Sequence, residues 1–376
     1  MINLIVVGGG EGFYKNLDPA IQSPELKSVM RIATVIDILP LDQLHEETQK
    51  IIRNRGIRYA NSRTSRDEDV QLGDNPAVII MTPNDSHMDY ARRFSSMKKD
   101  LPIDVEKPVA TRLSDVEDLL TIAKQGRIYA AEPTVDGKCL GLLWAAGAVP
   151  DDDPRIRYLE TDLVGAGHWT VQDYFRSLGR LRYVCGAMLE GTGKAGTADH
   201  RPWLLEGKHG GMIRDLASHL FGALYDIGMG SSDIRWEEVE LGRYDHGMDL
   251  GKWRPLRQWD EGETHAKMRG VMFSPCGEIQ CSFEVGKYWP SHCRFLNLTF
   301  EHGLITLSYE RPFELTIETN HGTVSVKNKM EQYQILTLID FKEFIDGKAS
   351  GHIGRAAAIV RFNEMARQFG VRQQFP

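Results

Sequence analysis

Strand and helix alternate throughout the first third of this 376-residue chain, and this alternation limits its fold more than any other feature. Apolar runs predict strands at 2–7, 32–36, 57–59, 77–81, 102–105 and 127–131, with helices at 42–55, 86–98 and 114–125. Strands joined by single helices at this spacing form parallel βαβ units, so we predict a doubly wound α/β sheet. Ligands of such sheets bind beyond the carboxyl ends of the strands, so candidate binding residues follow 7, 36, 81 and 105.

From about residue 150 the pattern changes to alternating runs separated by short turns. These runs predict strands at 156–164, 233–241, 268–275, 278–286, 294–300, 303–309 and 313–318, with helices at 211–228, 331–346 and 353–369. Consecutive strands with short links form antiparallel sheets. We therefore predict a second, α+β domain built on a large open, mostly antiparallel sheet.

Length and composition exclude several classes of protein. A chain of 376 residues exceeds the usual size of one hydrophobic core, which favours two domains. The net charge of −7 argues against a nucleic-acid-binding surface, and no apolar run is long enough to cross a bilayer. The N-terminus lacks a signal-peptide pattern, and the five cysteines match neither a disulfide framework nor a tetrahedral zinc spacing. We expect a cytoplasmic protein without a bound metal.

A glycine-rich turn, 8–12, directly follows the first predicted strand. Gly8 and Gly10 match the first two glycines of the G-x-G-x-x-G pattern, in which the backbone turns tightly and approaches a pyrophosphate. The last position of that pattern carries Phe13 instead of a small residue. These observations predict a dinucleotide site that also includes Gly12. The alternative is a plain turn at a strand end.

Asp37 ends the second predicted strand. A carboxylate at this place can bind both ribose hydroxyls of NAD and would repel the additional phosphate of NADP. Ile38 follows it, where an arginine would favour that phosphate. We therefore predict NAD as the cofactor in preference to NADP. The alternative role for Asp37 is that of a helix N-cap.

Polar residues also follow the strands predicted at 77–81 and 102–105. Lys107 precedes a proline whose peptide bond can be cis, and a partly desolvated ammonium at a strand end can donate a proton or hydrogen-bond a hydroxyl. The alternatives are a solvated loop lysine and, for His87, a residue that only begins a helix. The cofactor-binding residues predicted at these strand ends are Thr82, Pro83, Asn84, His87, Glu106 and Lys107.

The helix predicted over 211–228 carries Asp215 and His219, four residues apart at one margin of its apolar stripe. Three small residues share that side and would leave room for a ligand: Gly211, Ser218 and Gly222. A carboxylate and an imidazole beside a flat surface predict a proton-handling site. The alternative is an i, i+4 surface pair on an ordinary amphipathic helix.

Taken in order, these motifs resemble those of the Gfo/Idh/MocA oxidoreductase family. The resemblance rests on the glycine turn, the acidic end of the second strand, Thr-Pro-Asn-x-x-His, Glu-Lys-Pro and Gly-Gly-x-x-x-Asp-x-x-x-His. It implies an NAD(P)-dependent dehydrogenase or reductase that acts on CH–OH groups of sugars, cyclitols and similar polyols. By this resemblance Lys107 matches the family's catalytic lysine, Asp215 the aspartate that binds or assists the substrate, and His219 the general acid/base. Two positions depart from the family pattern: Phe13, and Gly222 where many members carry an aspartate.

The mechanism that the resemblance implies is hydride transfer between the nicotinamide and a carbinol carbon. His219, or Lys107 relaying to it, takes the hydroxyl proton, and Lys107 stabilises the developing alkoxide. Aromatic and charged residues within 168–209 would contact a sugar, sugar phosphate, aminosugar or cyclitol, although solvated surface charges explain the same residues. Besides Lys107, Asp215 and His219, the predicted substrate-binding residues are Arg176, Arg201 and Trp203.

Two other functional hypotheses stay open. One is a reductase of a non-sugar ligand such as an imine or a tetrapyrrole. The other is a non-catalytic regulator of the same fold that senses a sugar or a cofactor, because a fold does not determine a function.

We predict an NAD-binding Rossmann domain over 1–130 and a substrate and oligomerisation domain over 131–376, with the helix at 353–369 able to pack back on the first domain. An apolar face of the second sheet indicates a homodimer or homotetramer, because exposed strands of that apolarity need a cover. The residues assigned to that face are Leu296, Leu298, Phe300, Ile305, Leu307, Leu315 and Ile317.

Overall fold

The computed structural model describes residues 1–64, 70, 72–165, 168–191, 205–207, 210–244, 253–275, 277–289 and 292–375. The chain divides into two compact units. The N-terminal unit comprises Met1–Ala110, Ser114–Pro133 and Gln332–Ile353. The C-terminal unit comprises Thr111–Leu113, Thr134–Glu331 and Gly354–Pro376. Among the described residues, no helix is both long enough and apolar enough to cross a membrane.

The N-terminal unit is built on a six-stranded parallel sheet in the order β3-β2-β1-β4-β5-β6. Its strands are β1 (Ile2–Val7), β2 (Met30–Asp37), β3 (Arg58–Asn61), β4 (Pro76–Ile80), β5 (Pro102–Val105) and β6 (Arg127–Ala130). The connecting helices are Asp18–Ile21, Glu46–Asn54, His87–Met97 and Leu113–Gln125. The strand order reverses at β1 and β4, and doubly wound sheets bind their ligands at this switch point. The predicted α/β fold is confirmed.

The helix after the glycine turn begins with an unusual turn. Phe13–Leu17 is π-helical, and the α-helix Asp18–Ile21 starts only after it. Phe13 is buried, and it occupies the position where the G-x-G-x-x-G pattern has a small residue. A π-helical turn is a local insertion into a helix and often occurs at functional sites. The sequence therefore departs from the G-x-G-x-x-G pattern at Phe13, the same residue at which the π-helical turn begins.

A segment close to the C-terminus, Gln332–Ile353, belongs to the N-terminal unit. This segment contains the helix Tyr333–Ile345. At the start of β6, the Arg127 guanidinium donates a hydrogen bond of 2.7 Å to the Ile345 carbonyl, at the end of this helix. Further along β6, the Tyr129 hydroxyl donates to the Asp340 carboxylate at 2.7 Å. These bonds attach the segment to the edge strand of the parallel sheet.

The C-terminal segment that is grouped with the N-terminal unit is 332–353. The last helix, Ile353–Gln374, is grouped with the C-terminal unit, where the Phe362 ring stacks on Phe221 with centroids 4.4 Å apart. Phe362 also meets the Phe283 ring at 5.7 Å. Phe362 thus packs against aromatic side chains of the C-terminal unit, which explains why this helix belongs to that unit.

The C-terminal unit is built on a ten-stranded sheet in the order β10-β9-β11-β12-β8-β13-β14-β15-β16-β7. All neighbouring strands are antiparallel except β8 and β12, which are parallel. The strands are β7 (Leu159–Gly165), β8 (Leu181–Gly191), β9 (Ile234–Tyr244), β10 (Trp253–Pro255), β11 (His265–Ser274), β12 (Gly277–Trp289), β13 (Cys293–Phe300), β14 (Gly303–Ser308), β15 (Phe313–Thr319) and β16 (Gly322–Asn328). The predicted large, mostly antiparallel sheet is confirmed.

Several elements of this unit were not predicted. The most important is β8, which lies in the middle of the sheet, although we predicted no strand within 168–209. The others are β10, β16 and the helices Leu140–Ala145 and Val171–Ser177.

Helices of the same unit cover the apolar face of this sheet. Gly141 lies so close to the sheet that a Cβ added to it would be 3.2 Å from Val326 Cγ1, and the rings of Phe175 and Phe300 meet at 6.1 Å. The side chains that we assigned to an uncovered face are 0% to 5% exposed in the single chain: Leu296, Leu298, Phe300, Ile305, Leu307, Leu315 and Ile317. This finding corrects our argument for an oligomer, because the chain itself already buries these side chains.

Candidate functional site

In the turn at the end of β1, the position of Gly8 requires glycine for two reasons. Gly8 has φ +105°, and a Cβ added to it would lie 2.6 Å from the Met81 carbonyl oxygen, so only glycine fits. Around Gly10, in contrast, no described atom lies within 4 Å of the place of a Cβ. At Gly12 an added Cβ would approach only the flexible end of the Met81 side chain, at 3.1 Å. The open space at Gly10, at the switch point of the sheet, fits a phosphate group.

Asp37, at the end of β2, is fixed by backbone hydrogen bonds. The Gly9 N–H donates to its Oδ2 at 2.7 Å, and the Leu39 N–H donates to its Oδ1 at 3.0 Å. Its carboxylate is thus held beside the glycine turn, where it can accept hydrogen bonds from ribose hydroxyls. We considered Asp37 as a helix N-cap, but the N-cap of the following helix, Glu46–Asn54, is His45.

His87 connects the loops that follow β4 and β5. Its side chain is buried, with 1% exposure, and its ring nitrogens lie 2.7 Å from the Thr82 carbonyl and 2.8 Å from the Pro108 carbonyl. Backbone carbonyls thus occupy both nitrogens. These contacts connect the two loops, and a contact of His87 with the cofactor stays a prediction.

Asn84, on the loop after β4, has a buried side-chain nitrogen with no hydrogen-bond partner among the described residues. Buried amide groups are almost always paired, so this Nδ2 is a candidate donor to a ligand. On the same loop the Ser86 hydroxyl donates to Thr82 Oγ1 at 2.8 Å, while Pro83 is exposed. The space at Gly10, the fixed carboxylate of Asp37 and the donor of Asn84 together fit a dinucleotide.

Lys107 lies on the loop after β5. The Glu106 N–H donates to the Ile80 carbonyl at 3.0 Å, which continues the pairing with β4, and the Lys107–Pro108 peptide is cis. Glu106 and Lys107 are half-buried, and both interact with other groups. This environment differs from the solvated loop that we considered as the alternative for Lys107.

Asp215 and His219 lie on consecutive helical turns of different geometry. The helix predicted over 211–228 is a π-helical turn, Ile213–Ala217, followed by the α-helix Ser218–Asp226. Asp215 is 8% exposed and His219 is 6% exposed, which is inconsistent with a surface pair. Burial of ionisable groups is costly unless they are paired or functional, so both residues are candidates for proton transfer.

The N-terminus of this helix is held by Glu263. The Glu263 carboxylate accepts a hydrogen bond of 3.1 Å from the Ile213 N–H, and Arg367 Nε lies 3.4 Å from its other oxygen. Gly211 has φ +94°, and a Cβ added to it would collide with that carboxylate. The glycine therefore allows a buried acid to approach the end of the helix.

The other small residues of this helix also adjoin protein atoms. A Cβ added to Gly222 would lie 3.2 Å from Ile359 Cδ1, and Ser218 is fully buried. We expected Gly211, Ser218 and Gly222 to leave a flat surface for a ligand. The structure corrects this expectation, because their size serves packing within the unit.

Asp215 belongs to a series of ion pairs with three charged residues that the sequence analysis missed: Lys287, Glu190 and Arg294. Lys287 Nζ lies 2.6 Å from Asp215 Oδ2 and 3.8 Å from Glu190 Oε2. Arg294 donates to Oε1 of the same Glu190 carboxylate. The sequence did contain a signal for these three residues. On each strand the charged residue continues a series of buried side chains that recurs every second residue. On β12, for example, Lys287 follows Cys281, Phe283 and Val285.

The predicted substrate-binding residues outside the helix have different outcomes. Arg176 has a 73% exposed side chain and forms an ion pair of 2.9 Å with Asp173, three residues earlier on the helix Val171–Ser177. It therefore has the environment of a solvated surface charge. Arg201 and Trp203 lie outside the described residues.

Residues 2–131 match the family model GFO_IDH_MocA, described as "Oxidoreductase family, NAD-binding Rossmann fold". The resemblance that the motifs indicated is thereby confirmed, and the chain contains an NAD-binding domain of the type found in Gfo/Idh/MocA oxidoreductases. No curated protein matches the sequence.

Solved oxidoreductases share the fold over nearly the whole chain. A levoglucosan dehydrogenase in complex with NADH and levoglucosan has a TM-score of 0.69 at 15% identity, covering 99% of this chain and 98% of that one. UDP-N-acetylglucosamine 3-dehydrogenase from Acidithiobacillus ferrooxidans has a TM-score of 0.62 at 13% identity, covering 99% of both chains. The 3-ketoreductase KijD10 from Actinomadura kijaniata, in complex with NADP, has a TM-score of 0.64 at 12% identity, covering 98% of this chain and 97% of that one. At these identities the similarity concerns the fold.

Proposed function

We propose that this protein is an NAD-dependent oxidoreductase of the EC 1.1.1 type. It transfers a hydride between the nicotinamide and a carbinol or keto carbon of a sugar, sugar phosphate, aminosugar or cyclitol. The observation that carries the proposal is the burial of Asp215 and His219, with Lys287 paired to Asp215, in a chain that has an NAD-binding domain. A buried carboxylate and imidazole can manage the hydroxyl proton that accompanies hydride transfer.

The cofactor assignment rests on Asp37. Its carboxylate is fixed beside the glycine turn and would accept the ribose hydroxyls of NAD, whereas its charge would repel the extra phosphate of NADP. Gly8, Gly10 and Gly12 would let the backbone approach the pyrophosphate. Thr82, Pro83, Asn84 and Glu106 lie on the loops that would carry the nicotinamide half. When bound, the nicotinamide supplies the hydride chemistry.

The remaining steps belong to side chains of this chain. His219 would remove the hydroxyl proton during oxidation and return it during reduction. The Lys107 ammonium would stabilise the negative charge that develops on the substrate oxygen. Asp215 would accept a hydrogen bond from a substrate hydroxyl and so orient the reacting carbon. Arg201 and Trp203 stay predictions for substrate binding.

The substrate class is supported by the solved structures of similar fold. They include a levoglucosan dehydrogenase, a dehydrogenase of a UDP-linked aminosugar and a 3-ketoreductase. Arg176, which forms an exposed ion pair with Asp173, stays a prediction for substrate binding. A reductase of a non-sugar ligand and a sensing regulator are the competing functions. A homodimer or homotetramer and a cytoplasmic location stay predictions.

Calorimetric titration with NAD and NADP, followed by a panel of polyols and keto-sugars monitored by NADH absorbance, tests the proposal. We expect tighter binding of NAD and turnover of at least one member of the panel. A Lys107→Ala variant should lose most of this turnover, while Lys124→Ala, which removes an exposed lysine of the same unit, should retain it. NAD binding without turnover of any polyol or keto-sugar would contradict the proposal.

A further inference from the structure

Lys287 forms a short ion pair with a residue of the proposed reaction. Its ammonium nitrogen lies 2.6 Å from Asp215 Oδ2, and the side chain is only 7% exposed. An ammonium this deeply buried is uncommon in proteins unless a charged partner compensates it. Asp215 is that partner, so the two charges depend on each other.

Three adjacent strands place the charges that extend from Asp215. β8 lies between β12 and β13, and it presents Val184, Gly186, Met188 and Glu190 on the covered face in a period of two. Lys287 on β12 and Arg294 on β13 occupy that face beside Glu190. Sheet pairing therefore fixes the positions of these charges, which makes them a rigid support for the helix residue that they contact.

Cations and carboxylates alternate in this group. Lys287 and Arg294 carry two positive charges, and Asp215 and Glu190 carry two negative charges. Beyond Arg294, the Glu310 carboxylate lies 3.7 Å from Arg294 Nε and 2.7 Å from His292 Nε2. Among the described residues, Lys287 lies nearest to the carboxylates of Asp215 and Glu190. Its strongest contact is with Asp215 itself.

We propose that Lys287 is a positioning residue for the reaction: it keeps the Asp215 carboxylate ionised and fixes the direction of its oxygens. The proposal rests on the proposed function, because it assigns Lys287 a role through Asp215. A cation at this distance favours the charged form of a carboxylate. The ion pair also leaves Asp215 fewer rotamers, which orients its remaining hydrogen-bonding capacity.

Turnover of a keto-compound against pH in Lys287→Met and Lys287→Arg tests the role. In this direction His219 acts in its protonated form, so the loss of turnover at low pH reports protonation of Asp215. For Lys287→Met we expect kcat to fall about tenfold or more, and the acid limb of the pH profile to move up by about one pH unit, because the carboxylate loses its neighbouring cation. Lys287→Arg should restore the position of the acid limb. Lys267→Met is the matched control, since Lys267 is on the neighbouring β11, half-exposed and 3.8 Å from Glu284, and it should behave like the parent. An unmoved acid limb in Lys287→Met overturns the proposal.

Thermal unfolding of Lys287→Met, Asp215→Asn and the double variant gives a readout that does not need turnover. Each single variant leaves one buried charge without its partner, so the double variant should lose less stability than the two single losses combined. If the stability losses of the two single variants simply add in the double variant, the proposal is overturned. This readout also applies if Lys287→Met is too unstable for kinetics. If the parent turns over no polyol or keto-sugar, the proposed function fails and the positioning role fails with it. The unfolding cycle then still decides whether the ion pair couples these residues.

Discussion

Gly8 and Gly10 are only two residues apart, yet their surroundings differ. A Cβ at Gly8 would meet the Met81 carbonyl at 2.6 Å at a φ of +105°, so we expect Gly8→Ala to lower the free energy of unfolding by more than about 1 kcal/mol. Gly10 has open space, so Gly10→Val should change stability by less than about 0.5 kcal/mol. The new side chain would fill the place of the pyrophosphate and weaken NAD binding about tenfold or more.

Thermal unfolding and NAD titration of both variants check this prediction. Normal NAD affinity in Gly10→Val would show that the pyrophosphate lies elsewhere.

Asp37 determines the choice between NAD and NADP in our account. Asp37→Ser removes the negative charge beside the ribose, so the preference for NAD over NADP should fall about tenfold, roughly 1.4 kcal/mol of binding free energy. Asp42→Ser is the control, because Asp42 is an exposed carboxylate nearby in sequence. Titration of each variant with both cofactors gives the two affinities. An unchanged ratio in Asp37→Ser would remove Asp37 from the site.

Cys281 should be inert in the folded protein. Burial raises the pKa of its thiol to about 12, and the thiol lies 3.2 Å from the Gly270 carbonyl. At pH 8, four pH units lower, roughly one thiol in ten thousand is the reactive thiolate. Labelling with iodoacetamide and peptide mass spectrometry should therefore modify Cys281 only after unfolding. Equal labelling rates in the native and unfolded protein would contradict its burial.

Sequence alone could predict those candidate site residues whose role depends on the local backbone. Gly8 and Gly10 lie in the turn after β1, and Asp37 ends β2, where a doubly wound sheet binds its ligands. Lys287 and the second contact of His87 could not be found in this way. Lys287 meets Asp215 across 72 residues of sequence, and His87 meets Pro108 across 21. Such pairs depend on strand register and loop placement.

At the level of elements, the helix Ser218–Asp226 depends on how its first turn is held. Gly211→Ala would push a Cβ into the Glu263 carboxylate at a φ of +94°, so we expect a loss of more than about 1 kcal/mol in the free energy of unfolding. Gly191→Ala is the control, because its Cβ would meet His292 at an ordinary 3.7 Å. Denaturant unfolding measures both. If the two variants are equally stable, Glu263 does not restrict this turn.

Helices were predicted by periodicity, but the π-helical turns were not. Phe13–Leu17 and Ile213–Ala217 both lie at the start of helices that carry or follow proposed site residues. Periodicity averages over several turns, so it detects the amphipathic helix and misses one wider turn within it. β8 was missed for another reason: the aromatic and charged residues of 168–209 were considered only as contacts of a substrate or of solvent.

For the whole molecule, the sequence predicted both sheets and their different strand directions. It did not predict that the segment 332–353 belongs to the N-terminal unit, because this depends on contacts of Arg127 and Tyr129 more than 200 residues away in sequence. It also misassigned the apolar face of the second sheet. Alternation shows that a strand has an apolar face, but it does not show whether the chain's own helices cover that face.

The central claim is hydride transfer between the nicotinamide and a substrate carbon. Incubation of the protein with NADH deuterated at the transferable position and the keto-compounds of the panel, followed by mass spectrometry of the products, tests it directly. Our account predicts that at least one keto-compound is converted to an alcohol carrying one deuterium on the carbinol carbon, and that His219→Ala loses this conversion. NADH binding with no deuterated alcohol from any member of the panel would contradict the account.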